Sequence, residues 1–132
     1  MQKFQQFHPV LKKRIEKIEK KIEKQLTQYF FKYISPVQSH GYEMILTLVR
    51  DYGDFTPGSK ESDPFTKNYR SRVWIAIGSA EDTDVQKQMY IPIYECKKHL
   101  FSLIGILYEE NMEKLETECT AFIQQFLVEH AS

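Results

Sequence analysis

Two side chains near the middle of the chain have the spacing of metal-binding or reactive groups. Cys96 and His99 form a C-x-x-H pair, which could supply two zinc ligands or a thiol with its base. Structural zinc needs two further ligands at compatible spacing, and the remaining cysteine and histidines lie on other segments. An activated cysteine needs an orienting third group, for which the sequence has no candidate. We therefore predict neither a metal site nor a catalytic residue here.

The acidic segment 81–84, with the sequence EDTD, carries oxygen ligands of the type that divalent cations prefer. It lacks the glycine and the distant glutamate of an EF-hand loop, so an ordinary solvated turn is the simpler interpretation. The chain also contains no Gly-rich phosphate loop and no HExxH, GxSxG or CxxC motif. The sequence thus favours a protein that is not an enzyme, and it predicts no cofactor.

Aromatic and basic residues on two strand-like segments are more informative. Residues 69–78 (YRSRVWIAIG) and 88–95 (QMYIPIYE) alternate with the period of a β-strand, with aliphatic side chains on one side. If the aliphatic sides face a core, the opposite face of the sheet displays Arg70, Arg72, Trp74, Tyr90 and Tyr94. Tyrosine, tryptophan and arginine dominate the energetics of protein interfaces. We therefore predict that these five residues bind another protein.

The same five residues have other interpretations. Aromatic side chains stabilise sheets through cross-strand pairs, which is a purely structural role. An aromatic and basic sheet face can also stack bases and hold phosphates, so a single-stranded nucleic-acid-binding protein is the alternative function. The second alternative is an enzyme or small-ligand-binding domain with a pocket between the sheet and the helices. The preferred class is a non-catalytic module such as an inhibitor, an immunity or antitoxin-like factor, or an adaptor.

The elements that would position these residues begin with a long helix. Pro9 suits a first helical position, and Ser35-Pro36 is predicted to end the helix because proline disfavours the helical conformation of its predecessor. Between them, apolar residues recur at helical spacing: Leu11, Ile15, Ile18, Ile22 and Leu26. The lysines and glutamates between these positions are predicted to form the solvated face.

Four strands and a second helix follow. The strands are predicted at 42–50, 69–78, 88–95 and 100–108, with a loop at 53–68 and a turn at 96–99. Pro92 favours a sheet edge or a bulge in the third of these strands. A helix is predicted to follow with Asn111 as its N-cap. The predicted fold is α+β, with an antiparallel meander and both helices on one face. If 100–108 were helical instead, three strands and one very long C-terminal helix would result.

Composition places the chain among globular proteins. Its 132 residues predict one domain, 1–132, and the absence of a signal-like apolar segment, a membrane span or a disulfide framework predicts a cytoplasmic location. Zero net charge hides a gradient: residues 1–34 carry nine basic and three acidic side chains, and residues 106–132 carry one and six. The basic first helix has three interpretations. It is a solvated face, or it binds an acidic partner, RNA or an anionic membrane. In the third, it lies beside the acidic last helix of the same chain or of a second copy in a homodimer.

Overall fold

A computed structural model describes residues 2–5, 9–51, 69–79, 81, 85–99 and 102–130 of the chain. The elements follow one another as β1 (Gln2–Gln5), α1 (Pro9–Ser39), β2 (Tyr42–Asp51), β3 (Arg70–Ser79), β4 (Val85–His99), β5 (Ser102–Tyr108), α2 (Glu109–Glu113) and α3 (Leu115–His130). The predicted loop at 53–68 lies outside the described residues, as does most of the acidic turn.

The predicted antiparallel meander is confirmed. The described strands form one sheet in the order β1-β5-β4-β3-β2, and every pair in it is antiparallel. Residues 102–108 form a strand, so the reading with one very long C-terminal helix is wrong. The turn predicted at 96–99 is also wrong, because β4 continues through it and His99 pairs with Ser102. Residues 96–99 of β4 instead pair with residues 102–105 of β5 in one long hairpin.

The sheet gains a short fifth strand that the sequence did not predict. Gln2–Gln5 pairs with β5, and Gln2 lies opposite Tyr108. A four-residue polar segment carries too little alternation to be recognised as a strand. It forms here because the outer edge of β5 offers unpaired backbone groups.

Helix α1 begins at Pro9 as predicted, but it does not end at Ser35-Pro36. It continues through Pro36 to Ser39, at a length of about 46 Å at 1.5 Å per residue. Val37, in the extra turn, is fully buried in the core, which offsets the hydrogen bond that proline cannot make. The turn ends at Gly41, whose positive φ of 84° suits glycine, and whose N–H donates to the carbonyl of Gln38.

Both long helices cover the same face of the sheet, as predicted. Ile22 and Leu26 of α1 join Phe122 and Phe126 of α3 in one apolar core with the inward side chains of β2, β3 and β4. The Tyr33 hydroxyl lies 2.8 Å from the Thr120 hydroxyl and links the two helices. None of the helices in the described part of the chain has an apolar stretch long enough to cross a membrane.

One glutamate of α1 departs from the predicted solvated face. Glu19 is only 2% exposed, and its carboxylate accepts hydrogen bonds from Arg50 Nε at 3.1 Å and from the Tyr69 hydroxyl at 2.7 Å. Arg50 also pairs with Glu23. Burial opposes the charge on Arg50, but Glu23 and Glu19 outweigh it and raise the pKa of the guanidinium. The network anchors α1 to β2 and β3.

The single C-terminal helix that the sequence predicts is two helices, α2 and α3, and the first of them begins earlier than predicted. α2 starts at Glu109, directly after β5, so Asn111 lies inside the helix and is not its N-cap. Its side-chain amide donates instead to the carbonyl of Pro92 at 2.8 Å, which holds α2 against β4.

Candidate functional site

The face of the sheet that turns away from the helices carries most of the predicted binding residues. In β3, Ser71, Val73, Ile75 and Ile77 are fully buried toward the helices. Strand alternation therefore directs Arg70, Arg72 and Trp74 to the opposite side, which we call the open face. None of the described helices packs on it.

Three side chains of the open face form one continuous stack. Trp74 lies opposite Tyr90 across the β3–β4 ladder, and the two rings are parallel to within 11° with centroids 6.1 Å apart. The Arg72 guanidinium carbon lies 3.9 Å from the centroid of the Tyr90 ring. The indole N–H of Trp74 donates to the side chain of Gln88 at 2.9 Å. These contacts fix the orientation of both rings, and Tyr90 is still 40% exposed.

Tyr94 does not belong to the open face, so its predicted exposure is wrong. Arg72 pairs with Pro92 but Ser71 pairs with Tyr94, which leaves Ile93 without a partner in a β-bulge. The bulge inverts the alternation, and Tyr94 turns into the core, where it is 0% exposed and packs against Tyr69. Pro92 had signalled an edge or a bulge. Pro92 lies beside the bulge, in the part of β4 that pairs with β3 alone, because β5 pairs only with residues 94–99.

Arg70 stands on the open face beyond the stack, where its charge meets an acidic neighbour. It lies opposite Glu95 across the ladder. Glu95 also accepts a hydrogen bond from the Tyr108 hydroxyl at 3.1 Å and lies 3.0 Å from Lys97. Burial and the Glu95 carboxylate raise the pKa of Tyr108 to about 12, so its hydroxyl remains a donor at neutral pH. Positive and negative charges therefore alternate at this end of the face.

The stack has apolar neighbours that the sequence reading overlooked. In β2, Thr47 lies opposite Trp74, and Val49 lies opposite Arg72. Ile45, one alternation further along, is 44% exposed. The signal was present, because Met44, Leu46 and Leu48 alternate with these residues and are buried. The open face thus adds exposed Ile45 and half-buried Val49 to the aromatic stack.

The two cysteines of the chain lie buried on separate elements, and the side chain of His99 lies outside the described residues. Cys96 is buried on the core side of β4, and Cys119 is buried in α3. Burial, with a contribution from Glu118, raises the pKa of the Cys119 thiol to about 12, which makes it a poor nucleophile. Within the described ranges, no three His, Cys, Asp or Glu side chains form a group that could hold a metal ion. The chain matches no protein-family model, no curated protein and no solved structure.

Proposed function

We propose that this chain is a non-catalytic protein-binding module that uses its open face, in the class of inhibitors, immunity or antitoxin-like factors and adaptors. The observation that carries the proposal is the stack of Arg72, Tyr90 and Trp74. Arginine, tyrosine and tryptophan are the side chains most enriched among residues that dominate binding energy. Because the rings are already held in place, a partner would lose little side-chain entropy on binding them.

The surroundings of the stack support a protein partner over a nucleic acid. A protein interface typically has an apolar centre with a mixed-charge rim, and here exposed Ile45 lies near the stack and the Arg70–Glu95 pair lies at the end of the face. A phosphate backbone would favour an excess of unpaired positive charge instead. The lysines of α1 cannot supply that charge here, because α1 lies on the other side of the sheet.

The second alternative, a small-ligand pocket between the sheet and the helices, receives no support from the packing. That space is filled by apolar side chains, among which Ile75, Ile77, Ile123 and Phe126 are fully buried.

The test compares three forms of the chain as baits in a lysate of the source organism: wild type, the double variant Trp74→Ala/Tyr90→Ala, and Val128→Ala. Val128 is 84% exposed on α3 and serves as a matched change on the opposite side of the molecule. We expect wild type and Val128→Ala to recover the same protein, and the double variant to lose it while retaining a folded circular dichroism spectrum. Equal recovery by all three baits would overturn the proposal.

Once a partner is in hand, the stack itself reports binding. Trp74 is the only tryptophan of the chain, so its fluorescence monitors the open face alone. We expect the partner to shift the emission of Trp74, and Arg72→Lys to weaken binding, because lysine keeps the charge but lacks the planar group that lies on the ring. An unchanged emission spectrum at saturation would place the interface elsewhere.

A further inference from the structure

The solvent side of α1 carries a row of positive charges, which lies on the opposite side of the molecule from the open face. Lys13, Lys17, Lys20 and Lys24 recur at spacings of 4, 3 and 4, which places them in line along the helix. All four are exposed, and none forms an ion pair with a residue that the structure describes. A cavity of about 520 Å³ lies on this side, and its described lining consists of Arg14, Ile18 and the lysines at 17, 20, 21 and 24. We call Lys13, Lys17, Lys20 and Lys24 the lysine row.

Two of the three acidic residues of the same helix, Glu19 and Glu23, turn toward the sheet and not toward the lysine row. Glu19 is buried on Arg50 and Tyr69, and Glu23 also pairs with Arg50. Two of the three negative charges of α1 are thus paired with Arg50 of the sheet, and the third, Glu16, is exposed. The four lysines of the row are exposed on the other side of the helix.

The lysine row continues into an exposed aromatic ring. Phe31 follows Lys24 by seven residues, two helical turns along the same line, and is 71% exposed. The row from Lys13 to Phe31 is therefore about 27 Å long at 1.5 Å per residue. Cations that follow a phosphate backbone, with an aromatic ring on which a base can stack, are the two components of sequence-independent single-strand binding.

The lysine row is narrow, which favours a single polyanionic strand over a flat membrane as its ligand. Glu16 and Glu23 lie on one side of the row. On the other side lie α2 and α3, where Glu109 is 3.6 Å from Arg14 and Glu116 is 3.5 Å from Lys32. A flat anionic membrane would approach these carboxylates as well as the lysines, and they would repel it. A single polyanionic strand can follow the row between them.

We infer that the lysine row and Phe31 bind the phosphate backbone and a base of single-stranded nucleic acid, on the side of the molecule opposite the open face. This inference goes beyond the proposed function, because it uses a different surface and is independent of any protein partner. Binding is electrostatic and non-specific in sequence, with Phe31 adding one stacking contact.

The experiment measures fluorescence anisotropy of labelled 20-nucleotide dT and rU oligomers with the full chain as salt is varied. Four phosphate contacts predict a slope of log K against log salt near −3, at about −0.7 per contact for single strands. The variant Lys17→Gln/Lys20→Gln/Lys24→Gln should reduce the slope to about −1 and weaken binding on the order of 10²-fold at about 50 mM salt. Phe31→Leu should weaken it roughly tenfold, and Phe31→Tyr should restore it.

The matched control removes three lysines that are ion-paired elsewhere: Lys32→Gln/Lys97→Gln/Lys114→Gln. It changes the net charge equally and should retain nearly all of the affinity. The inference is overturned if the two triple variants weaken binding equally, if the oligomers do not bind at low salt, or if vesicles of phosphatidylcholine and phosphatidylserine bind through the row and the oligomers do not. The Trp74→Ala/Tyr90→Ala variant should bind the oligomers like wild type, which separates this surface from the proposed one.

Discussion

Replacing Gly105 by alanine should destabilise the fold because Tyr94 occupies the space that the new methyl group needs. Gly105 lies in β5 opposite Cys96, and a Cβ built on it would lie 2.9 Å from both Cε1 and the hydroxyl oxygen of Tyr94. The contact is too short for the two groups to coexist, and the fully buried ring has little room to move. We expect overpacking to cost about 1–3 kcal/mol.

A second effect of the alanine, on the unfolded chain, acts on the free energy of unfolding in the opposite direction. Gly105 does not have a positive φ, so alanine at this position also restricts the unfolded chain and stabilises the fold by about 0.4–1 kcal/mol. In wild type the clash should exceed this gain, and the free energy of unfolding should fall by about 1–2 kcal/mol. In a Tyr94→Leu background the ring is absent, so Gly105→Ala should become neutral or stabilising.

The assay is urea denaturation of the four proteins of this cycle, followed by circular dichroism. The coupling free energy between positions 94 and 105 should be about 1.5–3 kcal/mol, within the range for residues in contact. If Gly105→Ala cost the same in both backgrounds, Tyr94 would not be packed over Gly105. The inward turn of Tyr94 at the bulge would then be wrong as well.

Two further perturbations test the buried groups. Glu19→Gln should lower the free energy of unfolding by about 2–4 kcal/mol in urea denaturation, because Arg50 and Tyr69 lose a buried charged acceptor, whereas exposed Glu16→Gln should change it by less than about 0.5. Burial raises the folded-state pKa of Cys119 from 9.0 to about 12, so its contribution to stability is complete below pH 9 and is lost as pH rises from 9 to 12. Cys119→Ala should make the alkaline fall in stability shallower, and an identical pH profile would contradict the assignment; iodoacetamide should also modify Cys119 far more slowly in the native chain than in urea.

Local periodicity accounts for the part of the fold that the sequence could predict. The apolar spacing of α1 and the alternation of β3 depend on residues a few positions apart, and both were recognisable without tertiary information. The placement of Arg72, Trp74 and Tyr90 on one face followed from the same alternation. Their stacking did not, because it depends on the register that sets Trp74 opposite Tyr90.

The errors share a different cause, which is that distant partners decided the outcome. Glu19 resembles its exposed neighbours in sequence, and only Arg50 and Tyr69, 31 and 50 residues away, make its burial favourable. Tyr94 follows the alternation of its strand until the bulge inverts it. Helix α1 passes Pro36 because Val37 finds a place in the core. No window of the sequence contains these contacts.

The pairing of β1 with β5 has a consequence for the order in which the fold assembles. The hairpins of the meander join neighbouring segments, whereas Gln2 and Tyr108 are 106 residues apart and close nearly the whole chain into a loop. Contacts of such long sequence separation form late, because the chain loses loop-closure entropy before the new contacts can stabilise it. Until β1 docks, the outer edge of β5 has unpaired backbone groups that another copy could extend. The short first strand therefore covers this edge of β5 once it docks, and its four residues replace the seven of β5 at that border of the sheet.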